Sequence, residues 1–109
     1  MDLKTYIFDI DDTICRTNGS DYDNSRPILE RIAVVNELYD QGHTIFFLTA
    51  RGMCRNDNNQ MDAINELYDL THDQLVRWGL RFHRLFLGKP TGDYYIDDKG
   101  VKDSDFFTD

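Results

Sequence analysis

Short apolar runs alternate with polar segments along the chain. The runs Thr5–Phe8, Thr44–Leu48, Phe82–Leu87 and Asp93–Ile96 are rich in β-branched and aromatic residues and predict four strands. Most of these runs are separated by apolar residues at the three-to-four spacing of a helix. Strands that alternate with helices favour a parallel α/β sheet.

Three helices are predicted between the strands. The first begins at Pro27 and ends at Gly42, and a second apolar stripe covers residues 61–68. Thr71 and Gln74 form a capping-box pattern, which predicts that a new helix begins at Thr71.

Length and charge limit the function classes. The chain has 109 residues, 40% of them hydrophobic, and a net charge of −8. We expect one domain over residues 1–109, with a small three-layer, Rossmann-like parallel sheet covered by helices on both faces. The acidic surface makes nucleic acid an unlikely partner and disfavours anionic membranes. No apolar run approaches the roughly 20 residues of a membrane span, and no leader segment is evident, so a cytoplasmic protein is expected.

Chemically useful side chains follow every predicted strand. They are Asp9, Asp11, Thr49, Lys89, Asp97 and Asp98. Ligands bind at the carboxyl ends of parallel strands, so we expect these side chains to meet at one edge. Converging carboxylates repel one another unless a hard cation neutralises them, and an all-oxygen ligand set suits Mg²⁺. With a lysine, a hydroxyl and backbone N–H groups available for phosphate oxygens, the set fits phosphoryl transfer.

These residues resemble the four motifs of the haloacid-dehalogenase-like (HAD) hydrolases. The motifs are the sequence DIDDT at residues 9–13, the sequence FLT ending at Thr49, Lys89 in the sequence GKP, and the Asp97-Asp98 pair. The resemblance spans Tyr6 to Lys99. More narrowly, the sequences FLGKP and YIDDK resemble small capsule-biosynthesis-type phosphatases.

The resemblance implies a role for each matched residue. Asp9 would be the nucleophile that becomes an aspartyl-phosphate, and it would also bind Mg²⁺. Asp11 would be the general acid and base, with its backbone carbonyl on the metal. Thr49 and Lys89 would hold the transferring phosphoryl group.

The remaining site residues are predicted with alternatives left open. Asp98 is expected to bind the metal directly, and Asp97 directly or through water. Asp12 and Thr13 are expected to contact phosphate. Arg51 could contact substrate phosphate or a sugar hydroxyl, or could be a surface arginine beside a helix.

Spacing leaves no room for a cap domain of about 50 residues. The spacing thus predicts a capless protein, and the resemblance implies a Mg²⁺-dependent phosphomonoester hydrolase for a small phosphorylated sugar or polyol of surface-polysaccharide metabolism. The loops 18–25 and 52–59 are the candidate substrate contacts. A nucleotide or polynucleotide phosphatase, or a non-catalytic metal-phosphate binding module, remains an alternative.

The small sheet and an apolar tail suggest self-association. Phe106 and Phe107 near the chain end would leave an apolar patch that a homo-oligomer would bury.

Overall fold

The computed structural model describes residues 2–109 as an α/β fold. Its elements are β1 (Thr5–Phe8), β2 (Cys15–Arg16), β3 (Arg26–Pro27), α1 (Leu29–Asp40), β4 (Thr44–Thr49), α2 (Gln60–Arg77), β5 (Arg84–Leu87) and α3 (Asp103–Phe106), with a 3₁₀ turn at Tyr22–Asn24. The strands β1, β4 and β5 form a parallel sheet in that order. The prediction of an α/β fold with a parallel sheet is confirmed.

One face of this sheet forms the core. Parallel pairing sets Tyr6 beside Ile45, Phe8 beside Phe47, and Phe47 beside Leu85, so these five side chains point to the same side. Phe47 and Ile45 are fully buried there, in one cluster with apolar residues of α1 and α2. The buried face therefore lies between the sheet and the two long helices.

The opposite face of the sheet is largely open. Ile7 and Phe86 project from it and are 61% and 43% exposed. In the strand order β1-β4-β5, the connection from β1 to β4 and the connection from β4 to β5 cross the sheet in the same direction. Right-handed crossovers then place both connecting helices on one side. The predicted three layers, with helices on both faces, are therefore wrong for residues 2–109, which form two.

The helix α2 is continuous, which corrects the predicted break at Thr71. Thr71 and Gln74 are buried, and both side chains accept hydrogen bonds from Arg51, at 3.3 and 2.6 Å. The polar groups of Thr71 and Gln74 bind Arg51, which follows β4, and do not cap a new helix. The cap at the start of α2 is Asn59, whose side chain accepts from the Asp62 N–H.

The predicted strand Asp93–Ile96 is not formed. Tyr94 and Ile96 are 85% and 94% exposed, and residues 88–102 contain neither strand nor helix. Strand propensity depends on a neighbouring strand and a surface to pack on, and this segment has neither. The absent helix in this stretch is also the reason that the second face of the sheet stays uncovered.

A small hairpin follows β1. Its strands β2 and β3 pair antiparallel, with Arg16 opposite Arg26. We call residues 15–27 the flap. The flap and the loop at 50–59 are short, so the structure contains no cap domain within residues 2–109.

The chain end packs against the body of the molecule. Phe107 is buried beside Phe8, and Phe106 contacts the rings of Tyr6 and Phe8. The Phe106–Phe107 tail is thus part of the molecule's own core, which corrects the expectation that it forms an exposed patch. None of the helices in residues 2–109 is both long and apolar enough to cross a membrane.

Candidate active site

A cleft opens where β1 and β4 end. It has a volume of about 210 Å³ and is lined by Asp9, Asp11, Gly19, Tyr22, Thr49, Ala50, Arg51, Cys54 and Thr91. Strand β1 stops one residue before Asp9, and β4 ends on Thr49 itself. The parallel sheet thus brings together four of the predicted site residues, Asp9, Asp11, Thr49 and Arg51, as its geometry requires.

Asp9 is half-buried at the base of this cleft. Burial raises the pKa of the Asp9 carboxyl above its ordinary value, because a charged group loses solvation there. The charge of Lys89 and the Ile10 N–H act in the opposite direction and lower that pKa, whereas Asp11 raises it. Asp9 is therefore a carboxylate for which an additional positive charge would be favourable.

Asp11 is held by a buried arginine. The Arg51 Nη2 lies 3.0 Å from Asp11 Oδ1 and its Nε lies 3.1 Å from Asp11 Oδ2, which is a bidentate pair. The Thr17 hydroxyl donates to the same carboxylate at 2.5 Å. Arg51 is only 1% exposed, so the alternative of a surface arginine is wrong.

Thr49 and Lys89 stand next to each other across the sheet. Thr49 is 1% exposed, and its Oγ1 accepts from the Arg51 N–H at 3.2 Å, which leaves the hydroxyl proton for another acceptor. The Lys89 N–H donates to the Thr49 carbonyl at 3.2 Å. The Lys89 Nζ lies 4.5 Å from the centre of the Tyr95 ring.

Asp12 and Thr13 form the turn after the site and do not line the cleft. Asp12 has a φ of 58° in the left-handed region. The N–H groups of Asp12, Thr13 and Ile14 donate to carbonyls of Cys15 and Ile10. Since these three N–H groups donate within the protein, they are not the backbone donors that were expected for phosphate oxygens.

Asp97 and Asp98 lie outside the cleft on the exposed segment 91–102. The N–H groups of Lys99 and Gly100 donate to Asp97 Oδ1 at 2.7 and 2.6 Å, and these bonds lower the pKa of Asp97. No group of three metal-ligating side chains is assembled anywhere in residues 2–109. The absence of the fourth strand explains this, because that strand was expected to bring the pair to the sheet edge.

Two residues of the cleft, Ala50 and Thr91, were not foreseen from the sequence as part of the site. Both predicted loops reach the cleft, the first through Gly19 and Tyr22 and the second through Cys54. Behind the cleft, the buried polar side chains of Thr71 and Gln74 hold Arg51. Their signal in the sequence was two polar residues at positions where the apolar stripe of α2 continues.

Comparison with solved structures identifies a relative. The fold matches the crystal structure of a structural-genomics target from Vibrio cholerae with a TM-score of 0.85. The two chains are 31% identical, and the match covers 95% of this chain and 87% of that chain. This chain belongs to the same family as the Vibrio cholerae protein.

The Vibrio cholerae relative supports the fold but not an activity. The description of that protein names a source and no reaction. No protein-family description matches this chain, and no curated protein matches it. The function therefore has to be argued from the cleft.

Proposed function

We propose that this protein is a Mg²⁺-dependent phosphomonoester hydrolase of the HAD type that acts through an aspartyl-phosphate on Asp9. The observation that carries this proposal is the cleft itself, where Asp9, Asp11 and Thr49 converge and Lys89 acts on the charge of Asp9. A carboxylate nucleophile with a nearby cation and hydroxyl donor suits phosphoryl transfer, which depends on positioning and charge neutralisation. The parallel strands β1, β4 and β5, connected through α1 and α2, support ligand binding at this edge.

Two displacements complete the reaction. In the first, an Asp9 carboxylate oxygen forms a bond to phosphorus and the bond from phosphorus to the leaving oxygen breaks. That oxygen takes a proton from Asp11, which enters this step protonated and leaves it as the carboxylate that Arg51 holds. In the second, Asp11 takes a proton from water, the water oxygen bonds to phosphorus, and the bond to Asp9 breaks. Inorganic phosphate leaves, and both carboxyl groups return to their starting state.

The donor atoms in the cleft suit Mg²⁺ in part. The Asp9 carboxylate and the Asp11 backbone carbonyl would hold the ion, with phosphate and water oxygens completing its shell. When bound, the ion would neutralise charge on the phosphoryl oxygens. Asp97 and Asp98 would join this set only if segment 91–102 folded against the sheet edge.

The surface beside the cleft supports a hydroxyl-rich substrate. A polar groove of about 570 Å³ is lined by Asp12, Arg16, Thr17, Asn18, Asp21, Asn24 and Arg26. Side chains of this kind donate and accept hydrogen bonds, as sugar and polyol hydroxyls require. We therefore favour a phosphorylated sugar or polyol, and the net charge of −8 disfavours long polynucleotides.

The deciding experiment measures phosphate release from a panel of sugar, polyol and nucleotide monophosphates, with Mg²⁺ and with a chelator. We expect Mg²⁺-dependent release by the wild type and a loss of at least about 1,000-fold in Asp9→Asn, because the amide cannot form the intermediate. Asp69→Asn makes the same change on an exposed position of α2 and should retain full activity. Substantial activity in Asp9→Asn would refute the nucleophile assignment.

A non-catalytic metal-phosphate binding module is the second candidate. The separation of Asp97 and Asp98 from Asp9 favours it, because the acids expected to complete a metal centre are not assembled. Calorimetric binding of Mg²⁺ and inorganic phosphate, with no turnover of any substrate, would support this function over hydrolysis. Preferential release from nucleotides would instead support the nucleotide phosphatase.

A further inference from the structure

Arg51 is a buried cation whose N–H groups all face polar acceptors. Its side chain is 0% exposed. Burying an arginine side chain without hydrogen-bond partners is strongly unfavourable. The polar groups that face Arg51 therefore stabilise it in this buried position.

All five N–H donors of this guanidinium have acceptors in the protein. The Nε and one Nη2 proton go to Asp11, and the two Nη1 protons go to Thr71 and Gln74 at 3.3 and 2.6 Å. The second Nη2 proton faces Ser25 Oγ at 3.4 Å. An arginine has five such donors, so none remains for a substrate phosphate.

The same group of atoms holds the flap. The Arg51 Cζ lies 4.8 Å from the centre of the Tyr22 ring, and Gln74 Nε2 donates to the Tyr22 carbonyl. The Tyr22 hydroxyl accepts from the Gly52 N–H at 3.3 Å. Thr17 bonds to both Asp11 and Ser25, at 2.5 and 2.7 Å. The flap thus rests on Arg51 and on the carboxylate that Arg51 orients.

We propose that Arg51 is a positioning residue that fixes the Asp11 carboxylate in the cleft and anchors the flap beside it, in place of a direct contact with substrate phosphate. The proposal rests on the proposed function for its effect on catalysis. Its effect on the flap is independent of any activity. Helix α2 helps to hold Arg51 in place, because its Thr71 and Gln74 side chains accept hydrogen bonds from the Arg51 Nη1.

The kinetic test compares Arg51→Lys with Arg31→Lys as a matched control. Arg31 is also a buried arginine bound to two carboxylates, Asp103 and Asp109, and it does not line the cleft. Lysine keeps the charge but cannot make the bidentate contact. Each variant is assayed with an alkyl phosphate, whose leaving oxygen needs a proton, and with p-nitrophenyl phosphate, whose leaving oxygen does not.

We expect Arg51→Lys to lower kcat/KM, which reports only the steps up to formation of the aspartyl-phosphate, by about 100-fold on the alkyl phosphate and by less than about fivefold on p-nitrophenyl phosphate. Arg31→Lys should affect both substrates equally and slightly. Equal large losses on both substrates in Arg51→Lys would overturn the proposal. A raised KM with unchanged kcat would also overturn it, because it would indicate direct contact with the substrate.

A second measurement does not depend on turnover. Cys15 is the first residue of the flap and is fully buried, with its Sγ 3.6 Å from Thr17 Oγ1, whereas Cys54 is exposed. In a Cys54→Ser background we expect iodoacetamide to label Cys15 about tenfold faster in Arg51→Lys than in the wild type or in Arg31→Lys, since the flap loses its anchor. Unchanged labelling would refute the anchoring role.

A failure of the proposed hydrolase function can be distinguished from a failure of the proposed role of Arg51. If the wild type releases no phosphate from any substrate, the proposed function fails, while the labelling of Cys15 still decides whether Arg51 anchors the flap. If Arg51→Lys does not fold, Thr17→Val removes one hydrogen bond to Asp11 without changing the buried arginine. Thr17→Val should then lose more activity on the alkyl phosphate than on p-nitrophenyl phosphate, although the loss should be smaller than in Arg51→Lys. Equal losses on both substrates would again refute the proposal.

Discussion

Gly52 lies where the chain leaves β4 and turns toward α2. Its φ is +78°, and a Cβ at this position would lie 2.8 Å from Leu67 Cδ1 and 3.4 Å from the Ala63 Cα. Glycine therefore allows the loop after Arg51 to pack directly on the helix that carries Thr71. The close approach of this loop to α2 is part of what keeps Arg51 buried.

Replacing Gly52 with alanine should destabilise the fold by about 3 kcal/mol, because the left-handed backbone costs about 1 kcal/mol and the overlap with Leu67 adds the rest. Gly79→Ala is the matched control, since Gly79 also has a φ of +78° but has nothing within 4 Å of a built Cβ. It should lose only about 1 kcal/mol. Urea unfolding measures both changes, and equal losses would contradict the steric explanation.

Single residues also mark where local sequence patterns fail. Asp9, Asp11 and Thr49 were predicted to converge because strand ends are readable from apolar runs, and all three line one cleft. Thr71 was misread because a capping box is a local pattern. The actual partner of Thr71 is 20 residues away in sequence, so no pattern within a helix could indicate it.

At the level of elements, α3 and the chain end are tied to α1 by one side chain. Arg31 donates to Asp103 at 2.7 Å and to Asp109 at 2.8 Å, and its Cζ lies 4.8 Å from the centre of the Phe107 ring. The hydrogen bonds from Arg31 lower the pKa of Asp103 and of Asp109. These contacts hold a helix of four residues that could not be stable alone.

The ion pairs of Arg31 with Asp103 and Asp109 should weaken in acid. Carboxyl groups whose pKa is lowered by folding stabilise the native state above their unfolded pKa of about 3.9, and this contribution is lost as the pH falls through the lowered value. We therefore expect Arg31→Met to have a lower urea midpoint than the wild type near neutral pH. The difference should narrow below about pH 4. A difference that grows on acidification would contradict this assignment.

The elements were predictable to different degrees. The residues of β1 were predicted without error, and β4, β5 and α1 within about two residues, because each has a dense apolar run or stripe. The two-residue strands β2 and β3 carry no such signal, since the flap is held by polar contacts to Arg51 and Asp11. The expected strand at Asp93–Ile96 had the right composition but no partner.

For the molecule as a whole, the two-layer arrangement leaves one sheet face exposed, with Ile7 and Phe86 on it. Sequence patterns predict which strands are buried but not how many helices return across the sheet. The short connection after Lys89 is visible in the sequence, but its consequence for the second layer is not. A homo-oligomer remains a prediction, and this face is the apolar surface that self-association would cover.

The exposed segment 91–102 should be the first part of the molecule to be cut by protease. It carries Lys99 and Lys102, both exposed and outside any strand or helix. Trypsin should cleave after one of them before it cleaves elsewhere, because local opening there disrupts few contacts. A Lys99→Gln/Lys102→Gln double variant should lose this early fragment, as mass spectrometry would show. Cleavage that begins in the flap would contradict this order.

The distance of Asp98 from the cleft also bears on any measured affinity for a metal ion. An ion held by both Asp9 and Asp98 could bind tightly only to those molecules in which segment 91–102 has already docked. The apparent dissociation constant is then the intrinsic constant divided by the docked fraction, so titrating the ion would report a conformational equilibrium as much as a coordination strength. Loop substitutions that touch no ligand atom would shift this affinity as strongly as changes to a carboxylate.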